Sequence, residues 1–225
     1  MKPIGPSVAV LLIAVLGAGC IHVGGSGEPP DRRFYDLLPP VSDGRQIPAE
    51  GPETILVEAF TVDPGLDREE LVWRRENSEC GAYENYRWVR PPEEAVRSVL
   101  ADALRRAGIV GSVVAEPAAM HPDFRLRGHL SRCDEVDDGK AWAGVIEVHL
   151  ALARADDGEE ILRRTYARRV AAATRNPTGV VEAIRKGLDE IAAELVKDLR
   201  AVMEDTRTTD DARAPGTGPG PQASR

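Results

Sequence analysis

The sequence predicts an α+β domain in which two amphipathic helices pack on one face of a mainly antiparallel sheet. Three segments late in the chain alternate apolar and polar residues, as half-buried strands do, and Asp-Gly turns separate them. Two other segments place apolar residues three or four positions apart, which is typical of one helical face. We therefore expect an antiparallel meander that the two helices cover.

Short strands make up the first half of the predicted sheet. Residues 54–60 are rich in β-branched and apolar side chains and predict a central strand. Turn-forming residues between 75 and 82 indicate that the strands on either side form a hairpin. The other short strands are predicted at residues 32–38, 71–75, 82–89 and 109–115.

Two helices are predicted from their start and stop signals as well as their periodicity. The first begins in the Pro-Pro-Glu-Glu segment at residues 91–94, where proline fits the first turn and carboxylates complement the helix dipole. Gly108 marks its end, and the second helix begins after Asn176. The apolar stripes are Val96, Val99, Leu100, Ala103 and Leu104 in the first helix, and Val181, Ile184, Leu188, Ile191, Leu195, Leu199 and Val202 in the second.

The meander and the end of the domain follow from the remaining pattern. Its three strands are predicted at residues 124–131, 142–152 and 160–171. The turns between them contain Asp138-Gly139 and Asp157-Gly158. We predict that the domain spans residues 32–204. Residues 205–225 are dominated by Thr, Asp, Gly, Pro and Ala and are predicted to be a disordered tail.

The N-terminus has the features of an export signal. Lys2 is followed by nine consecutive apolar residues at 8–16, too few to span a bilayer but enough for a secretory signal. The small residues that lead to Cys20 resemble a bacterial lipobox, in which the cysteine is acylated and becomes the mature N-terminus. We therefore predict a signal peptide at residues 1–19 and a lipidated, Gly/Pro-rich tether at 20–31. The alternative is an ordinary signal peptide followed by an incidental cysteine.

The predicted export of the chain also bears on its target membrane and on the state of its two other cysteines. Ile21 follows the cysteine in place of the Asp that retains enterobacterial lipoproteins in the inner membrane, so by analogy we expect an outer-membrane anchor facing the periplasm. Cys80 and Cys133 are then the two other thiols in an exported chain. Because export leads to an oxidising compartment, we predict a structural disulfide between them; the alternative is two free thiols.

Charge and motifs argue against several function classes. The 225-residue chain has a formal net charge of −8 and no dense basic stripe, which argues against nucleic-acid binding. The sequence contains no Gly-x-Ser-x-Gly, Walker or Gly-x-Gly-x-x-Gly motif, so we predict neither an enzyme nor a cofactor. His129 and His149 fall on adjacent predicted strands and could hold zinc, but we interpret them as solvent-facing. The acidic residues at 134–138 are interpreted as a hairpin turn and not as a calcium site.

The order of several short motifs carries a family resemblance. An aromatic start at residues 34–37 is followed by the apolar strand, then by Leu66-Asp67-Arg68 with residues 71–74, then by Arg87-Trp88 with Pro91-Pro92. With the lipobox, this order resembles the PqiC-like ABC-type transport auxiliary lipoprotein family. The resemblance covers residues 20–204, although Asp36 departs from the small polar residue more usual there.

The resemblance implies a non-catalytic role. Members of this family are components of Mce-type ABC systems that move lipids between the inner and outer membranes. The partners implied are an Mce-domain periplasmic protein and a separate ABC permease and ATPase, and the lipoprotein is expected at the outer membrane, in some members as a homo-oligomeric ring. One group of residues has two interpretations. They could contact a partner, or the tryptophan could belong to the core and the arginines to a solvated face of the sheet. The residues are Arg74, Arg75, Arg87, Trp88 and Arg90.

Two other functions are compatible with the same α+β shape. One is a cell-envelope adaptor or scaffold, such as an activator of cell-wall synthases or a TolB-amino-domain-like protein. The other is a lipid-binding carrier, which requires an apolar cavity of roughly 300 Å³ or more. The scarcity of aromatic residues and the continuous helix stripes favour a packed core over such a cavity.

Overall fold

A computed structural model describes the chain at residues 31–38, 48–115 and 121–213, with side chains as far as 209. The predicted signal peptide and Cys20 lie outside these residues. The described part contains nine strands and two helices. They are β1 Arg33–Tyr35, β2 Thr54–Val57, β3 Thr61–Val62, β4 Glu70–Arg75, β5 Cys80–Trp88, α1 Pro92–Ala107, β6 Ser112–Val114, β7 Phe124–Asp137, β8 Trp142–Arg154, β9 Glu160–Ala171 and α2 Pro177–Arg213.

Strand β7 is the central strand of the sheet and pairs with four other strands. Along one edge it pairs antiparallel with β8, which pairs antiparallel with β9. Its other edge is shared by three short strands in succession, since β2, β3 and β4 each run parallel to a different part of it. Beyond them, β6 pairs with β2, and β5 lies between β4 and β1.

The α+β class is confirmed, but the sheet is mixed. Parallel pairs join β1 with β5 and β2 with β6, in addition to the three parallel partners of β7. Alternation of apolar and polar residues reports which face a side chain occupies, and it carries no information on the direction of the neighbouring strand. The predicted antiparallel meander is present as β7, β8 and β9. Gly139 and Gly158 occupy its turns with φ of 79° and 76°, a region that favours glycine.

Both helices pack on one face of the sheet. In α1, Glu93 and Glu94 lie in the first turn, and Gly108 ends the helix with φ 64°, as its sequence predicts. Helix α2 lies along β8 and β9. Between helices and sheet the core consists mainly of fully buried aliphatic side chains, among them Ile55, Leu100, Leu104, Leu126, Leu130, Ile146, Leu150, Leu152, Ile184, Ile191, Leu195 and Leu199.

Helix α2 is longer than predicted. It continues past residue 204 to Arg213, so the prediction of a disordered tail is wrong for residues 205–213. Thr206 is buried, and the guanidinium of Arg207 donates to both carboxylate oxygens of Glu53, at 2.7 and 2.8 Å, and to the carbonyl oxygen of Ile109. These contacts are polar, so a search for apolar periodicity misses them. The rest of the predicted tail, residues 214–225, lies outside the described residues.

Candidate functional site

The described domain starts at the edge strand that follows the predicted tether. β1 begins at Arg33 and pairs with β5 in parallel register, with Tyr35 opposite Trp88. The predicted lipid-attachment residue, Cys20, lies outside the described residues. Within the part of the chain that the structure describes, none of the helices combines the length and the apolar composition that a bilayer crossing requires.

Trp88 belongs to the core and is not available to a partner. Only 3% of its surface is exposed, and it packs in the main hydrophobic cluster. The partner-contact prediction is therefore wrong for this residue, because the alternation that ends β5 directs its indole toward the helices. Its neighbour Arg87 stays at the surface, where its guanidinium lies 3.3 Å from Glu69 and 2.9 Å from Glu70.

The other three candidate arginines are held by ion pairs in separate places. Arg74 Nε lies 3.3 Å from Asp134 of β7, and Arg90 Nη2 lies 3.1 Å from Asp36. Arg75 pairs with Glu79 at 3.2 Å, and its guanidinium lies 4.8 Å from the centroid of the Trp73 ring. The structure does not gather these arginines into one patch, and a role for them in partner binding stays a prediction.

The predicted disulfide between Cys80 and Cys133 is not formed. Cys80 is an exposed free thiol at the start of β5, whereas Cys133 is a buried free thiol in β7. The two strands are not neighbours, because β4 lies between them, and Cys80 is opposite Arg74 in the register. The Cα atoms of a disulfide are about 4.4–6.8 Å apart, which is little more than one strand spacing. Burial raises the pKa of the Cys133 thiol, so it behaves as an apolar core residue.

The face of the sheet opposite the helices carries an open groove of about 550 Å³. At its centre His129 of β7 and His149 of β8 are directly paired, and their ring centroids are 5.9 Å apart. The interpretation of these histidines as solvent-facing is confirmed, since both side chains are partly exposed. Arg127 and Arg163 line the groove, and Glu58 and Glu160 bring opposite charge to it.

Each histidine is oriented by a threonine and a carboxylate. His129 Nδ1 lies 2.8 Å from the hydroxyl of Thr61, and its Nε2 lies 2.9 Å from Asp63. His149 Nδ1 lies 2.7 Å from Thr165, and its Nε2 lies 3.5 Å from Glu147. Such contacts fix ring orientation and tautomer. Among residues 31–38, 48–115 and 121–213, no group of three or more His, Cys, Asp or Glu side chains is arranged to hold a metal ion.

Two carboxylates in β7 that the sequence assigns to a solvated turn are buried. Asp134 is fully buried and accepts from Arg132 through both oxygens, at 2.6 and 2.7 Å. Glu135, which is 2% exposed, points toward the helix side and accepts from the phenol of Tyr83 at 3.0 and 3.1 Å. The turn itself is formed by Asp137 and Asp138, whose carboxylates accept from backbone amides of residues 139–141.

The Glu135 carboxyl titrates near neutral pH. Burial raises its pKa from 4.5 to about 7, although the hydrogen bond from Tyr83 acts in the opposite direction. Burial and the nearby Glu135 also raise the pKa of Tyr83. In sequence this pair has no recognisable spacing, because 52 positions separate the two residues. The sequence shows Glu135 only as one of the acidic residues at 134–138, a pattern that is typical of a solvated turn.

Replacing Glu135 with glutamine is expected to change how stability depends on pH. Because the pKa is higher in the folded than in the unfolded chain, the folded state binds the extra proton between pH 4.5 and 7. The stability that Glu135 contributes is fully present below pH 4.5 and is lost as pH rises to the folded-state pKa near 7, by about 3 kcal/mol. Urea unfolding of wild type and Glu135→Gln at acid and slightly alkaline pH measures this loss.

The glutamine variant should keep its stability where the wild type loses it, since a neutral amide still accepts from Tyr83. The matched control is Glu84→Gln, a change at an exposed glutamate of β5. Parallel pH profiles for wild type and Glu135→Gln would contradict the assignment of this carboxyl.

Comparison with known proteins agrees with the fold. The solved protein XCC0632 from Xanthomonas campestris matches with a TM-score of 0.67 and 17% identity, over 78% of this chain and 99% of that one. A second structure, of an uncharacterized protein, matches at 0.60 with 16% identity, over 75% and 98% of the two chains. PelC from Paraburkholderia phytofirmans, solved as a dodecamer, matches with a TM-score of 0.39 and 18% identity, over 64% of this chain and 92% of that one. No curated protein matches the sequence.

The protein therefore has an α+β fold that it shares with the Xanthomonas campestris protein. The first element of this fold is the edge strand β1. The family follows from the sequence match. The model of the ABC-type transport auxiliary lipoprotein component matches residues 35–196, which is most of the chain. The chain belongs to this family, and the resemblance seen in its motifs is confirmed.

Proposed function

We propose that the protein is a non-catalytic lipoprotein of the outer membrane that serves an Mce-type ABC system moving lipids between the inner and outer membranes. The observation that carries the proposal is the family match over residues 35–196, downstream of a lipobox-like Cys20. The family is an auxiliary component of ABC-type transport, so the ATPase and the permease are separate chains. The Mce-type system and its lipid cargo are implied by the family resemblance, and the outer membrane by Ile21 after the cysteine.

In this proposal the lipid anchor holds the chain at the membrane, and the folded domain binds the partner protein. Acyl chains on Cys20 would hold the chain at the bilayer, because each buried methylene contributes about 0.8 kcal/mol and bacterial lipoproteins carry several chains. The 12 residues from 20 to 31 reach at most about 40 Å when fully extended. The domain would then stand close to the membrane and receive the end of a periplasmic Mce-domain protein, as one subunit or as part of a ring.

A lipid-carrier function is less well supported. The space between the helices and the sheet is filled by aliphatic side chains with almost no exposed surface, in the part of the chain that the structure describes. The groove on the opposite face is open, and most of the residues that line it are charged or polar. Neither region offers an acyl chain an apolar enclosure.

Direct binding to the Mce-domain protein tests the proposal. The lipidated protein is immobilised in detergent, and the purified Mce-domain protein of the same genome is titrated over it while binding is followed by interferometry. We expect saturable binding that an unrelated lipoprotein of the same membrane does not show. Equal responses from both immobilised proteins would contradict the assignment to an Mce-type system.

A further inference from the structure

Two large hydrophobic side chains are exposed near the edge of the sheet. Phe34 of β1 and Val89, which follows β5, each expose 57% of their surface. They belong to adjacent segments of the chain, since the backbone N–H of Val89 donates to the carbonyl oxygen of Tyr35, the residue after Phe34, at 2.8 Å. We call these two side chains the edge patch.

The edge patch lies on the face of the sheet away from the helices. Tyr35 and Trp88 are directly opposite in the register, and Tyr35 points to the helix side, where its hydroxyl lies 2.8 Å from that of Thr178 in α2. Because side chains alternate along a strand, Phe34 and its opposite neighbour Arg87 point the other way. The ion pairs of Arg87 with Glu69 and Glu70 compensate its charge, so Arg87 adds no net charge to the patch.

We propose that the edge patch rests in the headgroup region of the bilayer that holds Cys20, an inference that depends on the proposed lipid anchor. Phe34 lies 14 residues after Cys20, and that length of chain reaches at most about 50 Å. Arg32, two positions before Phe34, is exposed. A cationic residue close to an aromatic ring is a combination that favours a membrane interface with anionic lipid.

The size of the edge patch favours a lipid surface over a protein partner. Two side chains cover far less than the roughly 800 Å² that each partner of a stable protein complex buries. Burial of one Phe and one Val nevertheless gives a large enough preference to orient a domain that is already tethered to the bilayer. The tether makes the contact intramolecular, so a weak contact suffices.

Quenching of tryptophan fluorescence by brominated lipids tests the proposal. The chain from Cys20 onward, carrying Cys80→Ser, is coupled through Cys20 to vesicles of phosphatidylethanolamine and phosphatidylglycerol that contain a maleimide-headgroup lipid. Cys133 is buried and does not compete for the maleimide. In this background Phe34→Trp places a reporter in the patch, and Asp189→Trp places a matched reporter on the exposed surface of α2.

We expect the patch reporter to lose about half of its emission when the vesicle lipids are brominated near the top of the acyl chains, as an interfacial side chain would. The α2 reporter should lose little, once the emission of Trp73, Trp88 and Trp142 is subtracted. Equal quenching of both reporters would overturn the proposal, as would protection of the patch reporter by a second copy of the chain. Chemical coupling replaces natural acylation, so the result is independent of whether Cys20 is lipidated in the cell.

Discussion

Replacing Cys20 with serine is expected to move the protein from the membrane fraction to the soluble periplasm. A serine cannot take the thioether-linked lipid, so the variant loses all the acyl chains that the proposal assigns to residue 20. To prevent an uncleaved residue 1–19 segment from holding the chain, the variant is expressed behind a signal peptide that an ordinary signal peptidase removes. Cell fractionation and incorporation of radiolabelled palmitate measure the outcome.

The matched control is Cys80→Ser, which removes an exposed free thiol outside the lipobox. This variant should keep both the palmitate label and the membrane association of the wild type. The predicted lipid anchor would be contradicted if the Cys20→Ser protein stayed with the membrane and the wild type carried no palmitate. The protein would then be an exported protein that other contacts hold at the membrane.

Replacing Gly144 with alanine is expected to destabilise the domain by about 2–3 kcal/mol. Gly144 of β8 lies directly under α2, and a Cβ atom there would come within 2.7 Å of the backbone nitrogen of Ile184 and 2.8 Å of the carbonyl oxygen of Val180. Backbone atoms inside a helix cannot move aside as a side chain tip can. The helix would have to lift from the sheet, and the buried aliphatic layer beneath it would lose contacts.

Urea unfolding of the non-acylated domain measures the effect, with Gly65→Ala as the matched control. A Cβ at residue 65 meets no atom within 4 Å, so that variant should stay within about 0.5 kcal/mol of the wild type. Equal midpoints for the two variants would show that α2 does not sit on β8 as closely as described.

Local sequence patterns correctly predicted the meander strands and the end of the first helix. The alternation in β7, β8 and β9 and the Asp-Gly turns correctly indicated the meander, and Gly108 correctly marked the end of α1. These signals are local, since a turn or a cap depends on a few consecutive residues. The parallel partners of β7 were not predictable in this way, because each joins segments that lie far apart in the sequence, as Ile55 and Phe124 do.

The surface chemistry was predictable only in part. The facing of His129 and His149 followed from strand order, whereas the threonines and carboxylates that orient them come mostly from other segments. The disulfide prediction was wrong for a geometric reason, because one strand lies between the two cysteines. The predicted end of α2 was wrong for a chemical reason, because the contacts of Arg207 are ionic and polar and leave no apolar period in the sequence.

Purification of the transport system through this protein tests the central claim most directly. The acylated, affinity-tagged chain is extracted from membranes with mild detergent, and the captured proteins are identified by mass spectrometry beside those captured by another lipoprotein of the same membrane. We predict that an Mce-domain protein is captured together with its ABC permease and ATPase. Recovery of the acylated chain with none of these three proteins would contradict its assignment to an Mce-type lipid-transport system.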